Sequence, residues 1–142
     1  AVGYQRRRIR ASQLIACTYN CRSISSAAQL SALIDEARRI KYRVIDLSET
    51  KRKESLSCTW TYGTSVFLGA RKSNSTSGGV GFIVSPEFSK HVRSVTFYGH
   101  RLAMLAASLS RDVQITFQFL WGACMHIMMP AVKSNYGIES PR

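Results

Sequence analysis

The period of apolar positions changes along the first fifty residues. Leu14-Ile15-Ala16-Cys17-Thr18 is a short apolar run closed by the polar triplet Thr18-Tyr19-Asn20, which predicts a strand ending at a turn. Leu30, Leu33, Ile34, Ala37 and Ile40 then recur at helical spacing, giving one apolar stripe. Ser26 followed three residues on by Gln29 has the capping-box pattern that starts a helix. Arg38, Arg39 and Lys41 are expected in its last turn, where cations suit the helix dipole. Val44-Ile45-Asp46-Leu47 is a second strand, followed by Glu49-Thr50-Lys51. A strand–helix–strand crossover is parallel and right-handed in nearly all cases. Asn20 and Glu49 are therefore expected at the same end of adjacent strands. In open α/β sheets, ligand chemistry gathers at those carboxyl ends.

The pattern then turns to alternation. Cys58–Tyr62, Ser65–Arg71, Val80–Val84, His91–Phe97, Arg101–Leu109 and Val113–Phe119 read as strands, being rich in Thr, aromatic and β-branched residues. Ser73–Gly79 is a loop by composition, and Gly78-Gly79 opens the strand after it. No Walker-type phosphate loop is present. A βαβ start followed by antiparallel meanders predicts an α/β fold. Residues 1–11 read as a basic, irregular arm, 12–112 as the body of the domain and 113–142 as a divergent apolar tail. Residues 113–132 hold no Asp, Glu, Lys or Arg and would just span a bilayer. Gln114, Gln118, His126 and Pro130 interrupt the stretch, which argues against a membrane helix.

Charge changes the picture more than composition does. The 142 residues hold 20 Lys plus Arg against 8 Asp plus Glu, a formal net charge of +12. Such an excess favours a polyanionic partner, DNA or another nucleic acid before a membrane surface. Arg71 and Lys72, beside the loop, are the candidates for contact with a nucleic-acid backbone, which gives binding without sequence preference. Cys17, Cys21, Cys58 and Cys124 show no zinc spacing. Reduced thiols fit an intracellular protein, nuclear or cytoplasmic, and no secretory leader follows Arg6-Arg7-Arg8. His91, His100 and His126 have no orienting carboxylate in a recognisable motif and read as structural or surface residues. Asp46 and Lys51 likewise read as structural and solvated.

The triplets Thr18-Tyr19-Asn20 and Glu49-Thr50-Lys51, taken with Gly78-Gly79-Val80-Gly81-Phe82, resemble the N-terminal part of an endonuclease/exonuclease/phosphatase domain. The likeness is nearest to the endonucleases of invertebrate non-LTR retrotransposons and the craniofacial-development-protein-like sequences related to them. It runs through CTYNCRSISSAAQLSALIDEARRIKYRVIDLSETK and GGVGFIVSPEFSKHV, covering residues 15–112. It implies a DNase-I-like sandwich of two sheets with outer helices, and hydrolysis of a nucleic-acid phosphodiester with magnesium. On this resemblance Glu49 is a metal ligand and Asn20 orients metal and phosphate. Magnesium favours such hard oxygen donors, usually one or two carboxylates with phosphate and water.

The chain also departs from the family pattern. Ser48 stands where the family usually has Gln, and no Y-A-P, G-D-x-N or S-D-H run occurs. Phe119-Leu120-Trp121-Gly122-Ala123-Cys124 occupies the place of the first. The expectation is a truncated copy holding about half of the domain and inactive alone. The alternative is a non-catalytic, basic nucleic-acid-binding domain or a retrotransposon remnant. Half a sandwich is also expected to leave an apolar sheet face bare and to form non-specific oligomers.

Overall fold

The computed structural model describes residues 7–9, 14–122, 126–128, 133–134 and 137–138, with side chains for 16–122 and 127–128. Its elements run β1 (Arg7–Ile9), β2 (Leu14–Asn20), α1 (Ala27–Ala37), β3 (Val44–Ser48), β4 (Leu56–Thr59), β5 (Ser65–Leu68), β6 (Val80–Val84), α2 (Pro86–Ser89), β7 (Val92–Tyr98), β8 (Leu102–Ser108), β9 (Gln114–Leu120) and β10 (His126–Met128). A short pair, β11 (Lys133–Ser134) and β12 (Gly137–Ile138), follows. The fold is mixed α/β with two main sheets. One has the order β1-β2-β3-β6-β5-β4 and the other β10-β9-β8-β7.

The expected βαβ unit is present. β2 and β3 are parallel, with Asn20 level with Ser48, and all other pairings in the two main sheets are antiparallel. Alternation along β3 sorts its side chains between two apolar layers. Val44 joins Ala16, Phe82, Leu105, Phe117 and Phe119 between the sheets. Ile45 and Leu47 join Leu30, Leu33 and Ile34 of α1 on the opposite face. Both β3 and β6 are therefore buried throughout, as expected of strands covered on both faces. By the same alternation Asp46 lies in the layer between the sheets, fully buried. The order is helix, sheet, sheet.

Four expectations change. The helix ends at Ala37, with Arg38 as its C-cap. Arg39 N–H and Ile40 N–H bond the Glu36 and Ala37 carbonyls in a tightened turn, so Arg38, Arg39 and Lys41 follow the helix. The strand expected to reach Tyr62 stops at Thr59. Trp60 N–H bonds Thr64 C=O across a single 3-10 turn in which Tyr62 is left-handed, with φ 64°. Residues 7–9 of the expected arm pair with β2. Finally, the inner faces of the two sheets cover each other, because β7–β10 supply the second layer that half a sandwich was expected to lack. The strand expected at Val113–Phe119 is β9, central in that sheet. No helix among the described residues is long and apolar enough to cross a membrane. Cys124 and Pro130 lie outside the described residues.

Candidate functional site

The carboxyl ends of the parallel pair β2 and β3 hold the two residues singled out from sequence. Asn20 Nδ2 donates to Glu49 Oε2 at 3.1 Å, across 29 residues of chain. The Asn20 carbonyl oxygen accepts from Arg22 N–H at 3.0 Å, closing an Asx-type turn that fixes the side chain. Glu49 lies just past β3 and is half-buried, while Asn20 is exposed. Three consecutive backbone ties hold this end together. Cys21 N–H bonds Ser48 C=O at 3.0 Å, Ile24 N–H bonds Thr50 C=O at 3.0 Å, and Thr50 N–H bonds Gly79 C=O at 3.2 Å.

The backbone here is strained. Arg22, Glu49 and Lys51 all have left-handed φ, at 62°, 54° and 56°. Such conformations cost non-glycine residues about 1–2 kcal/mol each and persist where surrounding bonds over-determine them. The bonds are visible: Lys51 N–H bonds Gly78 C=O at 3.0 Å, and Arg71 Nη1 donates to Lys51 C=O at 3.3 Å. Two glycines permit the close approach. A side chain at Gly79 would collide with the Thr50 hydroxyl, and one at Gly78 would meet the His100 ring at 2.9 Å.

Of the sequence-predicted residues, Asn20 and Glu49 are in contact. Arg71 lies beside them, but its guanidinium is turned onto the Lys51 carbonyl. Lys72 is exposed on the wall of an open cleft of about 740 Å³ that Lys53, Arg71 and Asn74 also line. Sequence reasoning missed Thr50, fully buried beneath the loop, and His100, whose carbonyl accepts from Gly79 N–H at 3.1 Å. His100 was discounted for lack of a neighbouring motif, and only the β7–β8 turn brings it to this end. Its ring meets Trp121 edge-on at 6.5 Å, and the Arg101 guanidinium lies 5.7 Å from the same indole.

Electrostatics add a third missed residue, Cys21. Burial pushes the Cys21 thiol up to about 12, and the carboxylates of Glu49 and Asp46 push in the same direction. Cys21 is thus a protonated, inert thiol beside the pair, not a nucleophile. Magnesium needs several hard oxygen donors. Glu49 offers one carboxylate, and both ends of the Asn20 amide are engaged. No group of three or more His, Cys, Asp or Glu among the described residues could hold a metal ion. This donor set is short of a resident magnesium site. What the arrangement supplies is one fixed carboxylate–amide pair, with Arg22 and Lys51 two residues along the chain from its members and the Arg52 and Arg71 guanidiniums bonded to the Ile24 and Lys51 carbonyls. Set against protein-family models and curated proteins, the chain matches none.

Proposed function

We propose that the chain is a domain of endonuclease/exonuclease/phosphatase type, with a DNase-I-like sandwich, that contacts the phosphodiester backbone of DNA through its Asn20–Glu49 end and does not cleave it. The observation that carries this reading is the 3.1 Å contact between those two side chains at the ends of parallel strands. It is the pairing that the family resemblance requires of residues far apart in sequence. Hydrolysis needs an activated water and a sink for developing charge, and acid–base groups alone contribute about 10²–10⁴-fold in rate. The runs that fill those roles in the family, G-D-x-N and S-D-H, are not in this sequence. Backbone contact needs only cations and donors, which the site has in excess over acids.

The test is incubation of the purified chain with supercoiled plasmid and magnesium, beside Glu49→Ala. Nicking no faster than the buffer control is expected from both proteins. Nicking that vanishes in Glu49→Ala would return a catalytic role to the site and end the non-cleaving reading. Binding is followed on a labelled duplex at two salt concentrations. Affinity should fall as salt rises, because neutralised phosphates release counterions, and salt-independent affinity would count against backbone contact.

A further inference from the structure

A second cavity lies at the opposite end of the first sheet, remote along the strands from Asn20 and Glu49. It has a volume of about 570 Å³ and is lined by the segment between α1 and β3, the turn before β5 and the start of α2. Arg38, Lys41 and Arg43 face it, against Glu87 as the one carboxylate in its lining. None of the three cations makes an ion pair or a side-chain hydrogen bond among the described residues. The Arg38 guanidinium instead stacks on Tyr62, 3.6 Å from the ring centroid. Tyr62 remains 56% exposed despite that contact, so much of its surface is open to a further planar group. Tyr62 itself sits in the left-handed conformation, with φ 64°.

Tyr42 forms the floor of the cavity, only 5% exposed, with its hydroxyl turned inward beside Thr64. The nearby helix end does not oppose an anion strongly, because its last carbonyls are already bonded by Arg38, Arg39 and Ile40 N–H.

We infer that this cavity is a nucleotide-phosphate site, in which Arg38, Lys41 and Arg43 bind a phosphate monoester and the attached base stacks on Tyr62. Cations over aromatic rings and bases over aromatic rings are both favourable, and together they make a three-layer stack. Glu87 is left to accept from a sugar hydroxyl. The volume fits a single nucleotide, within the usual range for small-ligand pockets. A free mononucleotide and the phosphorylated end of a DNA strand present the same chemistry. The site is independent of the Asn20–Glu49 reading and stands if that reading fails.

The experiment titrates the full chain with three probes: adenosine 5′-monophosphate, inorganic phosphate, and a short 3′-fluorescent oligonucleotide with and without a 5′-phosphate. The variants are Arg43→Gln and Tyr62→Leu, each checked by circular dichroism. Arg43→Gln should weaken the mononucleotide about tenfold or more, since a bond to a charged group is lost. Tyr62→Leu should weaken the mononucleotide but leave inorganic phosphate unchanged. A preference for the 5′-phosphorylated oligonucleotide over its unphosphorylated form, lost in Arg43→Gln, identifies strand ends as the source; saturation by mononucleotide alone identifies the free ligand. Absence of binding by every probe, or binding indifferent to Arg43→Gln and Tyr62→Leu, overturns the inference. Tyr62→Leu keeps the test decisive if Arg43→Gln fails to fold.

Discussion

At the scale of single residues, the loop after β3 depends on the missing side chain of Gly79. Gly79 has φ +95°, and any side chain there would strike the Thr50 hydroxyl. Gly99 has φ +75° but nothing within 4 Å of a built Cβ. Gly79→Ala should therefore cost at least about 2 kcal/mol, backbone strain plus a clash, and Gly99→Ala about 1 kcal/mol from the left-handed conformation alone. Urea denaturation of both variants checks this, and equal losses would mean that the Gly79–Thr50 contact does not hold the loop. Cys21 gives a second residue-scale prediction. Its thiol is pushed from the ordinary 9.0 to about 12, by burial first. A raised pKa means that the unfolded chain releases its proton first as pH rises. The stabilisation is complete below pH 9 and is lost progressively between pH 9 and 12. Tyr19 and Tyr42, also raised by burial, act in the same direction. The melting temperature should fall faster above pH 9 in the native chain than in Cys21→Ala. At pH 8 iodoacetamide should label the half-buried Cys58 well before Cys21. These features were hidden in the sequence, where residue types are visible but φ angles and burial are not. Asn20 and Glu49 were legible because strand-end placement needs only the βαβ pattern.

At the scale of elements, the helix was the most legible part and its end the least. The capping box between Ser26 and Gln29 is fully formed, with Gln29 N–H on the Ser26 hydroxyl at 3.2 Å and Ser26 N–H on the Gln29 side chain at 3.0 Å. Ser26→Ala should cost about 1 kcal/mol, the usual value of an N-cap. Ile34 is fully buried against β3, and Ile34→Ala should cost about 2–5 kcal/mol through lost burial and the cavity left behind. Thermal melts of the two variants test the order, and a larger loss at Ser26 would mean that packing on the sheet is not what holds α1. Strand positions were legible from alternation, since β8 and β9 bury every second residue and β7 alternates half-buried with exposed positions past its bulge. The stop of β4 was not. Trp60 and Tyr62 are strand-forming types, yet Tyr62-Gly63 makes a tight turn and Trp60 Nε1 donates to Ser31 on α1 at 3.1 Å. A tertiary contact overrides local propensity there. Strand order was also beyond pattern reading, because β3 pairs with β6 rather than with the next strand in the chain.

At the scale of the whole molecule, two forces act with opposite dependence on salt. The net charge of +12 repels a second copy and attracts DNA. Apolar surface acts the other way. Tyr98, Leu102 and Leu120 lie in one row across β7, β8 and β9. Tyr98 is 54% and Leu120 42% exposed. Met128, level with Thr116 and also exposed, extends the same outer face of the second sheet. No helix among the described residues covers that face, whereas α1 covers the outer face of the first sheet. The open edge of β7 adds unpaired backbone groups beside it. Adding salt screens the repulsion between copies, with a Debye length falling from about 10 Å at 0.1 M to about 3 Å at 1 M, and leaves hydrophobic contact intact. DNA affinity should thus fall with salt while self-association rises. Sedimentation velocity at low and high salt tests the second trend. Leu120→Lys combined with Tyr98→Lys should return the high-salt sample to monomer, at little cost in stability because both side chains point to solvent. A monomer at every salt concentration would show that this face is too polar to associate. Oligomers that persist in the double variant would place the contact at the sheet edges instead.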